Sequence, residues 1–233
     1  MFVLGPLVTV AQPNPERLNR ILDRYTEQYG STRNAASLAS VSIEGTLQQD
    51  ENAFKFLMHR KRPDSMRYRL SQAGNSVTTG YNGRQGWIRS ESLGTPTIKH
   101  ITGPALRDLQ EQARFESPLV RHREKRENQI VFLKQQTSPA GLVYVIEVTR
   151  PDGHVSHHYL DAQTMRLLQL DRLNSTGTVL SETFYRDYRE VGGLPFAHEV
   201  EHRVGGETVS LATVESVTVN PGLLSFFFEV PTR

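Results

Sequence analysis

The residues in this sequence most suggestive of chemistry are His198-Glu199-Val200-Glu201-His202. They fit H-E-x-x-H and, in reverse, H-x-x-E-H, two patterns in which histidines one helical turn apart share a zinc ion beside a glutamate. That chemistry needs a helix, where residues i and i+4 project from one face about 6 Å apart. Here Gly192-Gly193-Leu194-Pro195 precedes the motif and Arg203-Val204-Gly205-Gly206 follows it. Between those breakers the segment is short and reads as a strand. On a strand, histidines four residues apart stand roughly 13 Å from each other, whereas zinc needs each nitrogen at about 2 Å. The glutamates would also face the other way. The reading is therefore no metal, with zinc-dependent hydrolysis kept only as a remote alternative.

A second cluster, His154, His157 and His158, also reads as strand. His157 and His158 then diverge to opposite faces, which suits a solvated strand better than a metal site. No G-x-S-x-G elbow supports a Ser-His-Asp triad. The basic runs 59–62 (HRKR) and 121–126 (RHREKR) lack interleaved aromatic residues, and Glu124 and Glu127 dilute the second. Single-strand binding would want stacking platforms there. Twenty-seven Lys+Arg against 25 Asp+Glu leave a charge of +2, without the basic excess of a nucleic-acid binder. With no cysteine in 233 residues, disulfides, cysteine zinc sites and thiol catalysis are excluded. No catalytic residue and no cofactor is expected.

The elements that would hold these residues are mostly strands. Pro15 at a first helical position, with Leu18, Ile21, Leu22 and Tyr25 at helical spacing, predicts a helix that Gly30 ends. From Val41 the period changes to two. Residues 41–48, 54–59, 66–71 and a strand from Trp87 form a first set. Residues 130–136, 142–149, 155–160, 167–173, 179–188, 196–204 and 208–219 form a second. Thr102-Gly103-Pro104 opens a helix between the sets, with Leu106, Leu109 and Ala113 on its apolar side, followed by an apolar loop over 115–120. There is no strand–helix alternation, so a parallel sheet is unsupported. The fold class is mainly β (α+β): one curved antiparallel sheet or incomplete β-barrel of about eleven strands, with helices as a lid. Residues 1–11 (MFVLGPLVTVA) are too short to span a bilayer. With Thr9 and Ala11 before a cut at Gln12, they read as the remnant of a secretory signal. Residues 12–233 read as one domain.

A curled sheet of this size presents an apolar groove. Across the first hairpin Phe54, Phe56 and Met58 face Met66, Tyr68 and Leu70, and aromatic and methionine side chains make an adaptable lining. Trp87, Leu106 and Leu109, and Phe115 from the loop, complete the expected ligand-binding set. Periodicity leaves open which face is concave, and whether the groove is empty or simply core.

The C-terminal half carries a recognisable cadence. His158-Tyr159-Leu160-Asp161-Ala162-Gln163-Thr164 leads to Leu167-Leu168. Then come 182–196 (ETFYRDYREVGGLPF), Val214-Glu215-Ser216-Val217-Thr218-Val219-Asn220, and Phe228-Glu229-Val230-Pro231. This resembles the outer-membrane lipoprotein-sorting protein family, the LolA/LolB-like superfamily, over roughly residues 30–231. The departure is at the turn, where Pro195 precedes Phe196 and Ala197-His198 follows it. The resemblance implies a lidded incomplete barrel that carries or senses a lipid or lipoprotein acyl chain in the periplasm, without catalysis. Its partners would be an inner-membrane donor or outer-membrane acceptor protein, with peripheral membrane contact and no nucleic acid. It also implies a lid-locking arginine, for which Arg67 and Arg69 are candidates by strand position. The rival reading is an interaction protein of the same fold with a filled core.

Overall fold

The computed structural model describes residues 15–92, 95–120, 127–139 and 141–232. The signal-like residues 1–11 and the basic run 121–126 lie outside them. The chain enters as helix α1, Pro15–Thr26, whose apolar stripe buries Ile21, Leu22 and Tyr25. A π-helical turn, Glu27–Ser31, continues past the expected stop. Gly30 acts by close approach rather than as a left-handed cap: a methyl there would stand 2.7 Å from Val120 Cγ1. Thr32 then caps the short helix α2, Arg33–Ser37, its hydroxyl accepting from the Ala35 amide at 3.1 Å.

Six strands follow: β1 Ser40–Gln49, β2 Asn52–Lys61, β3 Ser65–Gln72, β4 Asn75–Asn82, β5 Gly86–Ser92 and β6 Thr95–Ile101. Helix α3, Gly103–Ala113, separates them from β7 Gln129–Ser138, β8 Gly141–Thr149, β9 Val155–Asp161, β10 Leu167–Leu173, β11 Val179–Val191, β12 Leu194–Val204 and β13 Glu207–Val219. A 3-10 turn, Ser225–Phe228, comes last. The sheet has 13 strands, two more than the periodicity supports. Strand β4 escapes that reading because it buries Ser76, Thr78 and Gly80, which are not apolar. Strand β6 escapes it because it is an exposed edge, where Pro96 is tolerated.

All neighbours are antiparallel, in the order β6 to β1, then β13 down to β7. The first and last strands meet in the middle, with Val41 opposite Val219 and Leu47 opposite Ala212. The edges β6 and β7 do not pair, so the sheet is open. Both long helices pack on one face, here called inner. One inner row runs Val41, Arg60, Met66, Tyr81, Gly86 and Ile101 across six strands. Helix α3 seats Leu109 and Ala113 against Met66 and Tyr81 in that row. At Gly86 a methyl would come within 2.8 Å of Leu109 and 2.9 Å of Leu106, so glycine lets the helix sit down. Helix α1 covers the other half, packing Ile21, Leu22 and Tyr25 with Ile146, Val148 and Leu160.

Candidate functional site

Six of the expected lining residues share the inner face. Met58 is opposite Tyr68, and Phe56 opposite Leu70, while Phe54 and Met66 continue the same alternation. Phe56 and Met66 are buried; Phe54, Met58, Tyr68 and Leu70 are half-buried. The Phe56 and Tyr68 rings lie 6.1 Å apart. Burial pushes the Tyr68 hydroxyl up to about 12. Leu109 is buried by Met66, and Leu106 packs beside it.

Two expected residues lie elsewhere. Trp87 pairs with Gly80, in the row of Arg67 and His59, and so points to the outer face. There it is 0% exposed beneath the C-terminal turn, and its indole N–H donates to Phe228 O at 3.0 Å. Phe115 sits in the loop after α3, with the Arg62 and Arg60 guanidiniums 4.9 and 5.7 Å from its ring. It lines a small hollow of about 190 Å³ with Tyr25, Tyr29 and Phe196.

Sequence reasoning missed the other half of the inner face. A cavity of about 310 Å³ opens between α3 and strands β8–β10, within the range of small-ligand sites. Val148, Leu170, Leu173, Leu180 and Pro118 supply apolar wall, Ser156, His158 and Arg172 polar groups from the strands, and Asp108, Glu111 and Arg150 a charged rim. Alternation along β10 could have found it, since Leu170 and Arg172 must share a face. His158 is buried with Nε2 3.2 Å from Ser156 Oγ. Burial, helped by neighbouring His157, pushes its pKa down to about 4, so it is neutral near pH 7. A larger hollow of about 570 Å³ lies at Arg62, Asp64, Arg114, Glu116 and Glu127. Its charged walls suit water rather than an acyl chain.

Helix α3 is tied down on both sides. Arg60, on the inner face of β2, donates to Gln112 O at 3.3 Å and to Arg114 O, capping the helix's free carbonyls. Arg62 pairs with Glu116. Across the opening, Glu111 of α3 meets Arg150 at the end of β8, 2.5 Å away. The arginines expected to lock a lid, Arg67 and Arg69, are instead on the outer face. Arg67 packs on the Phe227 ring at 4.4 Å and donates to Phe227 O, and exposed Arg69 reaches Ser76.

The H-E-x-x-H residues are on β12, as expected. His202 faces inward opposite Thr183, and His198 shares its face by alternation. Glu199 and Glu201 face outward, held by Arg186 at 2.9 and 2.7 Å. His157 pairs outward with Glu147 at 3.1 Å, and His154 sits in the preceding turn 3.0 Å from Asp152. Among the described residues no group of three or more His, Asp or Glu is placed to hold a metal.

No family model matches the sequence, and no curated protein sequence matches it. Solved structures do match. A DUF1329 family protein from Desulfovibrio piger superposes with a TM-score of 0.69 at 12% identity, over 92% of this chain and 96% of that one. A domain assigned to outer membrane lipoprotein sorting from Vibrio parahaemolyticus gives 0.61 at 14%, over 92% and 97%. The fold is LolA-like. A LolA superfamily protein from Nitrosomonas europaea agrees, with 0.60 at 14% over 91% and 97%. At these identities the likeness concerns the LolA-like fold alone. No helix among the described residues is long and apolar enough to cross a membrane.

Proposed function

We propose that this protein is an exported, periplasmic, non-catalytic carrier or sensor that holds a lipid or lipoprotein acyl chain on its inner face, within one domain spanning residues 12–233. The observation that carries the reading is the half-buried apolar set Phe54, Met58, Tyr68 and Leu70 on the inner face of β2 and β3, the same face on which α3 roofs a cavity over β8–β10. A filled core would bury such residues fully. Each acyl CH₂ taken out of water contributes about 0.8 kcal/mol, so a long chain has enough driving force to bind without polar help. Release then depends on moving α3, through an inner-membrane donor, an outer-membrane acceptor or a membrane surface.

Native mass spectrometry of the chain purified without detergent, with lipid extraction of the same sample, tests this directly. The expected result is a co-purifying acyl lipid near one-to-one, or saturable uptake of added phospholipid or lipopeptide after delipidation. A clean protein mass with no uptake would overturn the carrier reading in favour of a filled-core interaction protein.

A further inference from the structure

The cavity under α3 is lined by one cation, Arg172, whose side chain is unpaired among the described residues. Arg172 stands on β10 directly opposite Ser156 of β9 and Ser181 of β11, and therefore faces inward with Leu170 and His158. Its side chain is exposed at the cavity, and its guanidinium makes no hydrogen bond or ion pair with any described residue. The carboxylates nearest Arg172 in the neighbouring strands register outward and are engaged there. Glu147 holds His157, Asp171 accepts from Tyr159 and Gln169, Glu182 accepts from Gln169, and Glu199 and Glu201 hold Arg186. On the roof, Glu111 is bound by Arg150 and Arg114, and Asp108, on an exposed turn of α3, also lines the cavity. The second inner guanidinium, Arg60, is used by the lid carbonyls. Burial and then the nearby Arg172 charge hold His202 below its ordinary pKa.

A lone guanidinium presents a planar fork that matches a carboxylate with two parallel hydrogen bonds. Aliphatic walls weaken competition from water and strengthen that pairing. With one unpaired cation among the described lining residues and the Asp108 carboxylate on the roof, a monoanion is the better complement; a phosphate dianion would leave charge unmatched. Resting on the acyl-carrier reading above, we propose that the ligand is a long-chain fatty acid, its carboxylate on Arg172 and its chain along the apolar inner face.

Displacement of the neutral dye Nile red from the delipidated full chain tests this with palmitate, methyl palmitate and palmitoyl lysophosphatidate. Palmitate is expected to displace the dye at one tenth or less of the methyl ester concentration. Arg172→Gln should raise the palmitate requirement to that of the ester, and Arg172→Lys, which keeps charge but loses the fork, should fall between. Circular dichroism confirms that the variants are folded. Equal displacement by acid and ester, or a preference that survives Arg172→Gln, would overturn the assignment while leaving acyl carriage intact. Stronger, Arg172-dependent displacement by lysophosphatidate would overturn it in favour of a phosphate head. Failure of the dye and of all three lipids to bind would remove the carrier reading itself.

Discussion

His158 shows what burial does to a single charge in this fold. It lies on the inner face among Ile146, Leu170 and the cavity wall, and its pKa is about 4 against 6.5 for a free imidazole. The unfolded chain therefore binds a proton that the native state refuses, so this contribution is complete above pH 6.5 and is lost as pH falls towards 4. At about 1.4 kcal/mol per pH unit, the loss is on the order of 3 kcal/mol. The depressed carboxylates Asp152 and Glu201, each about 2, act lower down, as pH falls from the ordinary carboxylate range through 2. Urea unfolding from pH 7.5 to 4.5 should show wild-type stability falling more steeply than that of His158→Asn. Parallel curves would mean that His158 titrates normally. At this scale the sequence was partly readable. Period two correctly placed Phe54, Phe56, Met58, Met66, Tyr68 and Leu70 together, and set His198 and His202 opposite Glu199 and Glu201. It also fixed Trp87 on one face of β5, yet nothing in the sequence says which turn will cover that face.

Helix α3 is an element whose position depends on a few polar ties rather than on a large core. Leu109 and Ala113 are its only buried residues. Arg60, Arg62 and Arg150 hold its C-terminal end from two sides of the opening. Hydrogen bonds involving a charged group contribute about 1.5–3 kcal/mol each, which corresponds to tenfold or more in an opening equilibrium. Arg60→Ala should accordingly speed amide exchange at least tenfold over residues 105–115, with exchange in β1 and β13 unaffected. Uniform acceleration across the sheet would instead make Arg60 a general stability residue and not a tether. The helix itself was legible from Gly103-Pro104 and the Leu106/Leu109 spacing. Its tethers were not, because a contact between residues 60 and 114 leaves no local pattern. Strands β4 and β6 were hidden for a different reason: hydrophobic alternation reports only on strands that bury apolar side chains. Here β4 buries serine, threonine and glycine on one face with Tyr81 as its single buried aromatic, and β6 buries almost nothing.

At the scale of the whole molecule, the two half-sheets are joined twice. Strand β1 pairs with β13 across more than 160 residues of chain, as in Thr46 to Glu215 at 2.7 Å. The segment after β13 then crosses the outer face to the first half-sheet. Lys61 donates to Leu223 O at 2.9 Å, Arg67 to Phe227 O at 3.2 Å, and Asn82 to Glu229 at 2.6 Å. Its anchor is Phe228, fully buried, whose carbonyl receives the Trp87 indole. Gly80 supplies the floor: a methyl at that position would overlap the indole ring. This strap stabilises the curved sheet from the side opposite the inner face, so stability and the proposed binding are separable. Phe228→Ala should cost about 3–5 kcal/mol. Because Trp87 is the single tryptophan, the same variant should shift native fluorescence towards the red as water reaches the indole. Uptake of Nile red on the inner face should survive at temperatures where the variant remains folded. An unshifted spectrum would mean that the strap does not shield Trp87. A loss of dye uptake in the folded variant would mean that the strap shapes the inner face as well, and that the two sides of the sheet act as one unit.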